Sequence, residues 1–325
     1  MSSVKRIPLN NGTSIPIIGT GAWAPDEAEA QSQVKGWILT ALKNGFRHID
    51  TAKGYLTEAA VGQAIRESGI PRKDIFVTTK LPFTDHHRVA ESFNESFKDL
   101  DVEYIDLYLM HFPQALEYEP GTRNLAQNPD GSYKKVDTVT FNESWAEIEK
   151  LLDTGKVKAI GVSNFSPKNL DKLLSTAKVT PAVNQVELHP YLAQEDLRAY
   201  CAEKGIVLTA YTPSGYAEVR GDPLIVELAK KYKSTPNQVI LAWHIARDIV
   251  IVPKSVNSDR QKENITVSQV LIYLHGMNIE ILLQLPTLES EDVKKISGLD
   301  RGKRICNGPD KFGQVYGWTM EELGW

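Results

Sequence analysis

The sequence has few cysteines, and their placement indicates neither a metal site nor a disulfide. Its 325 residues include two, Cys201 and Cys306, which lie far apart and lack metal-ligand spacing. A reducing compartment is therefore the expectation. The first six residues also lack the apolar core of a secretory signal peptide. We expect a cytoplasmic protein.

A surplus of positive charge is missing as well. The chain has 37 Lys and Arg against 41 Asp and Glu, a formal net charge of -4. This balance gives no reason to expect nucleic acid or an anionic membrane as a partner. With 42% hydrophobic and 24% charged residues, the composition is typical of a soluble globular protein. The length suits two ordinary domains or one barrel of about 250 residues with insertions.

A repeating unit of helix, glycine and short apolar strand predicts the fold. Gly45, Gly155 and Gly205 each follow a helical segment and precede a β-branched run, and glycine readily takes the left-handed conformation that ends helices. Apolar strands that alternate with amphipathic helices indicate a parallel sheet covered on both faces. Eight units favour a closed (β/α)₈ TIM barrel, one domain over residues 1–325, rather than an open sheet. The predicted strands begin near residue 17 and span 46–50, 75–80, 104–111, 157–163, 182–187, 206–211 and 249–253.

Flanking signals refine this prediction. Residues 4–18 alternate around an Asn-Asn-Gly-Thr turn and predict a hairpin that plugs one end of the barrel. Ser166-Pro167 and Thr235-Pro236 place a capping hydroxyl before a proline at a helix start, and Gln238 completes a capping box with Thr235. The stretch 111–141 predicts a large loop at the mouth of the barrel.

Four titratable side chains lie at or just beyond predicted strand ends: Asp50, Tyr55, Lys80 and His111. Taken singly, each has a structural interpretation as a cap, a packed ring, a solvated end or a hydrogen-bonding residue. In a parallel barrel, however, the carboxyl ends of the strands converge on one mouth. A lysine near a phenol favours the phenolate, so we expect a tyrosine pKa below its ordinary value of about 10. The set suits proton transfer to an oxygen.

Other chemistries fit the sequence less well. Gly19-Thr20-Gly21 lacks the third glycine and the helix entry of a dinucleotide fingerprint. No nucleophile–base pair for acyl transfer is evident. Metal-dependent hydrolysis would need several ligands in one shell, whereas His86-His87 is expected early in a helix and solvated. We predict no metal.

Several long motifs resemble, in order, those of the aldo-keto reductase family. They are Gly45–Tyr55 with Glu58 and Val61-Gly62, Leu107–Pro113, Gly161–Phe165 and Val252–Ser255, within a similarity that spans about residues 6–264. The resemblance implies a (β/α)₈ barrel that reduces carbonyls with NADPH. Within the family, the sequence resembles fungal-type aldehyde, glycerol and xylose reductases.

The resemblance also implies a role for each matched position. Tyr55 would be the general acid, Lys80 and Asp50 would tune it, and His111 would position the substrate carbonyl. Trp23 and Phe112, with the loop 114–140, would shape the substrate pocket. The implied cofactor-binding residues run from the nicotinamide end to the adenosine end: Ser163, Asn164, Gln185, Tyr211, Thr212, Ser214, Lys254, Ser255, Arg260, Glu263 and Asn264.

Within this set, Ser163, Asn164 and Gln185 would hold the nicotinamide carboxamide, and Tyr211 would stack on its ring. Lys254 and Arg260 can neutralise a 2′-phosphate, the arginine through a fork of donors, so NADPH is expected over NADH. Glu263 and Asn264 would contact the adenine. The sequence departs from the family pattern at Ala22, Thr57, Phe112 and Ser214, and the last of these puts one pyrophosphate contact in question.

Three functional interpretations remain open. The leading one is an NADPH-dependent reductase of aldehydes and ketones acting on a small carbonyl substrate. A second is an aldose- or xylose-type reductase with a specific sugar pocket. A third is a cofactor-binding sensor or regulatory subunit with vestigial catalysis, against which the intact four-residue set argues. We expect a monomer or a weak homodimer.

Residues 267–284 interrupt the resemblance. In the family, the adenine-binding Glu-Asn pair leads almost directly into a segment like 285–292, and deleting these 18 residues restores that join. The run is apolar without a period of 2 or 3.6, and His275, Gly276 and Glu280 argue against a membrane span. A Val codon begins with GT and a Gln codon can end in AG, so we hypothesise a retained intron of 54 nucleotides translated in frame. The alternative is a genuine insertion that forms a partner surface.

Overall fold

The computed structural model describes residues 5–119, 124–266, 270–272, 281–283 and 286–325, the two short segments by their backbone. Its strands, in chain order, are β1 (Arg6–Pro8), β2 (Ser14–Pro16), β3 (Thr20–Gly21), β4 (His48–Asp50), β5 (Phe76–Leu81), β6 (Ile105–Met110), β7 (Val157–Ser163), β8 (Val183–Glu187), β9 (Val207–Tyr211), β10 (Val250–Ile251), β11 (Val270–Ile272), β12 (Ile281–Leu283), β13 (Gln314–Val315) and β14 (Trp318–Thr319).

Strands β3 to β10 form a parallel sheet in which neighbours in space are neighbours in sequence. A parallel bridge between Ile18 and Ile251 joins its two edges, so the sheet closes into the predicted eight-stranded barrel. Closure also explains why the first strand begins later than predicted. The backbone of Ile17 and Gly19 bonds to Ile251 at 2.9 and 2.8 Å, and the chain turns to pair with β4 only from Thr20 onward.

Helices cover the outside of the barrel. They are α1 (Ala28–Lys43), α2 (Glu58–Glu67), α3 (Val89–Leu100), α4 (Phe141–Lys150), α5 (Pro167–Leu174), α6 (Glu195–Glu203), α7 (Tyr216–Arg220), α8 (Pro223–Lys231), α9 (Pro236–Ala246), α10 (Ser258–Ile265), α11 (Ser290–Ser297) and α12 (Met320–Leu323). Short 3₁₀ turns lie at Lys53–Tyr55, Arg72–Asp74 and Leu151–Thr154. None of the helices in the described ranges is both long and apolar enough to cross a membrane.

The predicted local signals are confirmed. Ser166 and Thr235 cap α5 and α9, and Thr235 and Gln238 form both hydrogen bonds of a capping box. Gly155 and Gly205 have φ values of 68°, in the left-handed region that suits glycine after a helix. These stops fix where each helix ends and the next strand begins.

The N-terminal hairpin closes one end of the barrel, as predicted. Strands β1 and β2 pair antiparallel, and Leu9 and Ile15 join a buried apolar cluster with Phe76, Leu109 and Val250 of the barrel strands. A larger apolar cluster lies between the strands and the helices. With one end plugged, the open end is the mouth formed by the carboxyl ends of the strands.

The segment 267–284 is described only in part. Strands β11 and β12 form an antiparallel pair separate from the barrel, with Val270 opposite Leu283. The other positions, 267–269, 273–280 and 284, lie outside the described residues, so the retained-intron hypothesis stays a prediction.

Candidate active site

Two strand tips join in a buried ion pair at the mouth of the barrel. Lys80 Nζ lies 2.6 Å from Asp50 Oδ1 and donates at 2.8 Å to the carbonyl of Thr51. The second carboxylate oxygen of Asp50 accepts a 2.7 Å hydrogen bond from Gln185 Nε2. The side chain of Lys80 is 0% exposed, so groups at the end of β4 hold this ammonium in place of solvent, and Gln185 of β8 holds Asp50.

Tyr55 and His111 complete the group. Tyr55 ends the 3₁₀ turn after β4, and its carbonyl accepts a 3.1 Å hydrogen bond from Gln31 on α1. The Tyr55 hydroxyl lies 3.5 Å from His111 Nε2, and Lys80 Nζ lies 5.0 Å from the centre of the phenol ring. The structure therefore brings together the four strand-end residues predicted from sequence.

The protonation states differ in part from expectation. Burial raises the pKa of Tyr55, and the opposing effect of Lys80 is smaller; the predicted lowering of this pKa is wrong because desolvation of the phenolate outweighs the nearby ammonium. Burial favours neutral Lys80, but Asp50 and Tyr55 raise its pKa above the ordinary value. Burial lowers the pKa of His111 well below its ordinary value, and Lys80 adds to this. The site thus holds a protonated phenol, a charged lysine and a neutral imidazole.

The predicted carboxamide residues lie side by side at neighbouring strand tips. Ser163 Oγ donates to the carbonyl of Gln185 at 2.7 Å. Asn164 Nδ2 donates to Ser163 Oγ at 3.1 Å and to the carbonyl of His111 at 2.9 Å. Gln185 uses Nε2 on Asp50, and its Oε1 has no hydrogen bond within the described part of the chain. That amide oxygen can therefore still accept a hydrogen bond.

Backbone strain also occurs in the segments after β7 and β9. Asn164, Thr212 and Tyr216 have φ values of 65°, 50° and 55°, in the left-handed region that costs a non-glycine residue free energy. The Tyr211 hydroxyl donates to Asn164 Oδ1 at 2.7 Å, so the strained turn after β7 is tied to the tip of β9. Strained residues of this kind cluster at functional sites.

The predicted phosphate segment follows β10. Lys254 and Arg260 are both exposed, and neither forms an ion pair with any carboxylate in the described ranges. Lys254 Nζ instead lies 5.9 and 5.7 Å from the ring centres of Trp23 and Trp37. Ser255 Oγ accepts from the backbone of Asn257 at 3.2 Å. Two cations without anionic partners are what a phosphate would bind.

The predicted adenine and pyrophosphate residues bond to side chains at the start of α9. Ser214 Oγ donates at 2.5 Å to Asn237 Oδ1, and Asn237 Nδ2 donates at 2.8 Å to Asn264 Oδ1. Glu263 accepts a hydrogen bond from the Thr235 hydroxyl. Serine at position 214 therefore links the loop after β9 to α10.

The two predicted pocket aromatics lie in different surroundings. Phe112 is 7% exposed, and its ring centre lies 5.2 Å from that of His111 and 5.2 Å from that of Tyr316. Trp23 is 51% exposed and stands beside Lys254. Phe112 thus adjoins the four-residue group, whereas Trp23 adjoins the phosphate segment.

The C-terminal tail contributes residues that sequence reasoning did not name. Gln114 Nε2 donates to the carbonyl of Val315 at 3.0 Å, Tyr316 packs on Phe112, and Asn307 Nδ2 donates to the Tyr211 hydroxyl. No spacing in the sequence indicates which side chains of the tail reach the mouth.

His86 differs from its prediction. It lies before α3 rather than within it and is buried, with Nδ1 3.1 Å from Ser144 Oγ, whereas His87 is exposed. Its partner on α4 is distant in sequence, which is why the local pattern suggested solvent. Across the described residues, no group of three His, Cys, Asp or Glu side chains could hold a metal ion.

The geometry can be compared with that of known proteins. Residues 17–274 match the model of the aldo/keto reductase family. Glycerol 2-dehydrogenase (NADP(+)) of Saccharomyces cerevisiae is 46% identical over 272 residues, which cover 81% of this chain and 86% of the relative. An aldehyde reductase of the same yeast is 40% identical over 310 residues, 92% of each chain.

A solved structure has a similar fold. The aldose reductase from Schistosoma japonicum superimposes with a TM-score of 0.80 at 31% identity, and the match covers 93% of this chain and 94% of that one. Both the sequence and the fold comparisons therefore span most of the chain.

Proposed function

Because the chain belongs to the aldo/keto reductase family, we propose that it reduces aldehydes and ketones to alcohols with NADPH, and that Tyr55 donates the proton. The observation that carries this proposal is the buried Lys80–Asp50 pair beside the Tyr55–His111 contact. A phenol kept protonated by burial next to a fixed ammonium is a proton donor aimed at one point.

Each residue of the group has a separate task in this mechanism. When bound, the reduced nicotinamide supplies the hydride for the carbonyl carbon. The Tyr55 hydroxyl gives its proton to the carbonyl oxygen, and neutral His111 can donate a hydrogen bond to the same oxygen. Lys80 stabilises the negative charge that develops there and on the phenol. These donors are held before substrate arrives, so they stabilise the transition state more than the ground state.

The residues present fit a nicotinamide dinucleotide phosphate. At one end, Gln185 Oε1 has acceptor capacity for a carboxamide, and Tyr211 offers a ring for stacking. At the other, Lys254 and Arg260 are cations without ionic partners in the described ranges, which suits a 2′-phosphate. NADPH is therefore proposed over NADH.

The substrate class follows from the mouth of the barrel and from the relatives. Phe112 and Tyr316 give an apolar wall beside the proton donors, which suits aldehydes with an organic side chain. The relatives' names, glycerol dehydrogenase, aldehyde reductase and aldose reductase, include both simple aldehydes and polyols. We place the protein in the cytoplasm, acting alone or as a weak homodimer.

A substrate panel tests the proposal. Purified protein is mixed with NADPH or NADH and with short aliphatic, aromatic and sugar aldehydes, and the absorbance band of the reduced nicotinamide is followed. We expect NADPH oxidation with several aldehydes and a slower reaction with NADH. A sugar reductase would act on the sugar aldehydes alone, and a cofactor-binding sensor would bind NADPH without oxidising it.

A further inference from the structure

Glu187 is a buried carboxylate that the mechanism above does not use. It ends β8 two residues after Gln185, so both side chains point to the same face of the strand. It is 0% exposed and has no Lys or Arg within ion-pair distance in the described ranges. A buried charge without a cation is costly unless hydrogen bonds replace the lost water.

Four donors supply those hydrogen bonds, and three belong to one turn of the tail. Oε1 accepts from the backbone N–H groups of Ile305 and Cys306 at 2.5 and 3.0 Å, and Oε2 accepts from that of Asn307 at 3.2 Å. The fourth donor position is His189 Nε2, 3.1 Å from Oε1. Consecutive N–H groups that converge on one anion form a nest, and here the anion is part of the protein.

These bonds keep the carboxylate charged. Burial alone would raise the pKa of Glu187, but the hydrogen bonds from His189 and the three backbone groups outweigh burial and hold the pKa below its ordinary value. If the turn moved away, the carboxylate would lose three of its four hydrogen-bond partners. The turn is thus bound strongly to one position on the barrel.

The fastened turn contacts the residues proposed to hold the nicotinamide end. Asn307 Nδ2 donates to the hydroxyl of Tyr211, which donates in turn to Asn164. Cys306 Sγ lies 2.9 Å from Thr212 Oγ1. Asn307 also lines a small cavity with Phe112, Arg304 and Trp325. The position of this turn therefore sets one wall of the space beside Phe112 and Asn164.

Resting on the reductase function proposed above, we propose that Glu187 is a positioning residue: it fastens the turn 305–307 over the carbonyl pocket and thereby sets which carbonyl substrates bind well. It takes no part in proton or hydride transfer. Glu187 affects substrate binding indirectly, because it positions Asn307 and the wall of the pocket.

Hydrogen exchange tests the fastening without any activity. Glu187→Gln keeps the size but offers one acceptor oxygen in place of two, and its amide group would face an N–H donor. Exchange of a peptide covering 303–309, followed by mass spectrometry, is expected to be about tenfold faster or more, since hydrogen bonds to charged groups are worth that much. Asp300→Asn, an exposed carboxylate bonded to Gly302, is the charge-matched control. Equal protection in Glu187→Gln and wild type would overturn the proposal.

Kinetics tests the consequence. In Glu187→Gln we expect KM for an aromatic aldehyde to rise about tenfold, while kcat for propanal and the Kd of NADPH stay within about twofold to threefold. Asn307→Ala should shift the same KM but leave the exchange of the turn slow. Faster exchange without a change in KM would contradict the role in specificity. If neither the wild-type protein nor any variant reduces an aldehyde, the proposed function is wrong. The hydrogen-exchange result still tests whether Glu187 holds the turn in place.

Discussion

Two lysines at the mouth of the barrel, Lys80 and Lys254, are built in opposite ways. Lys80 is fully buried and paired at 2.6 Å with Asp50. Lys254 is exposed, has no ionic partner in the described ranges and rests beside Trp23 and Trp37. Lys80 lies near the carboxyl end of β5, and Lys254 lies in the loop after β10.

The difference separates a catalytic centre whose charges are already paired, at Lys80, from a binding site whose charges are unpaired, at Lys254. The free energy needed to hold the Lys80 charge is supplied on folding, so the charge is in place before any ligand arrives. The charges of Lys254 and Arg260 have no ionic partner in the described ranges, which suits the phosphate that we propose binds there. The proposed catalytic site and the proposed cofactor-phosphate site thus differ in whether their charges are paired before a ligand binds.

Of the substitutions that compare the two lysine sites, Lys80→Met should have the largest effect. Lys80→Met leaves Asp50 buried without its cation, so we expect a loss of about 3–5 kcal/mol in the free energy of unfolding. Turnover of the folded enzyme should fall by roughly 100-fold or more. Urea unfolding and initial rates on the same preparations measure both. If Lys80→Met unfolds like wild type and turns over at a similar rate, the account of this ion pair is wrong.

Substitutions at Lys254 and Arg260 should change only the affinity for the cofactor. For Lys254→Met and Arg260→Ala we expect the Kd of NADPH to rise by roughly 10-fold, because each loses a hydrogen bond between charged groups. The Kd of NADH and the free energy of unfolding should hardly change. Fluorescence titration with both cofactors makes the measurement. An equal loss for NADPH and NADH would contradict a contact with the 2′-phosphate.

The smallest effect is expected from pH. In the proposed mechanism Tyr55 acts in its protonated form, and a pKa raised above its ordinary value of about 10 keeps the phenol protonated. His111, with its lowered pKa, stays neutral below pH 6.5. The rate of reduction should therefore stay within about twofold between roughly pH 6 and 9 and fall only above pH 10. A decline centred between about pH 7 and 8 would instead support a lowered phenol pKa.

The fold and the four-residue group could be predicted because both depend on local signals. Glycine stops mark where helices end, capping boxes mark where helices begin, and strand ends converge by geometry. The boundary of the first strand was missed because residues 17–19 pair with β10, a partner more than 200 residues away. Such pairing leaves no trace in a local pattern.

The electrostatics were harder to predict. The sign of the Tyr55 pKa shift depends on how deeply the phenol is buried relative to its distance from Lys80, and the sequence gives neither quantity. Glu187 could have been noticed as a carboxylate at a strand tip, two positions after Gln185. Its partners in the tail, more than 100 residues later, could not.

The segment 267–284 is not settled by the fold. Sequencing of cDNA decides between a retained intron and a genuine insertion. We expect most messages to lack the 54 nucleotides and to join the codon of Thr266 directly to that of Leu285. The presence of the segment in most messages would end the intron hypothesis.

The central claim is that Tyr55 supplies the proton within a centre that is complete before the cofactor binds. It is tested most directly by Tyr55→Phe, with Tyr104→Phe, at the opposite end of the barrel, as the matched control. We predict that Tyr55→Phe loses roughly 1,000-fold or more in kcat while its Kd for NADPH, from fluorescence titration, stays within about twofold. Turnover near the wild-type rate in Tyr55→Phe would contradict the account.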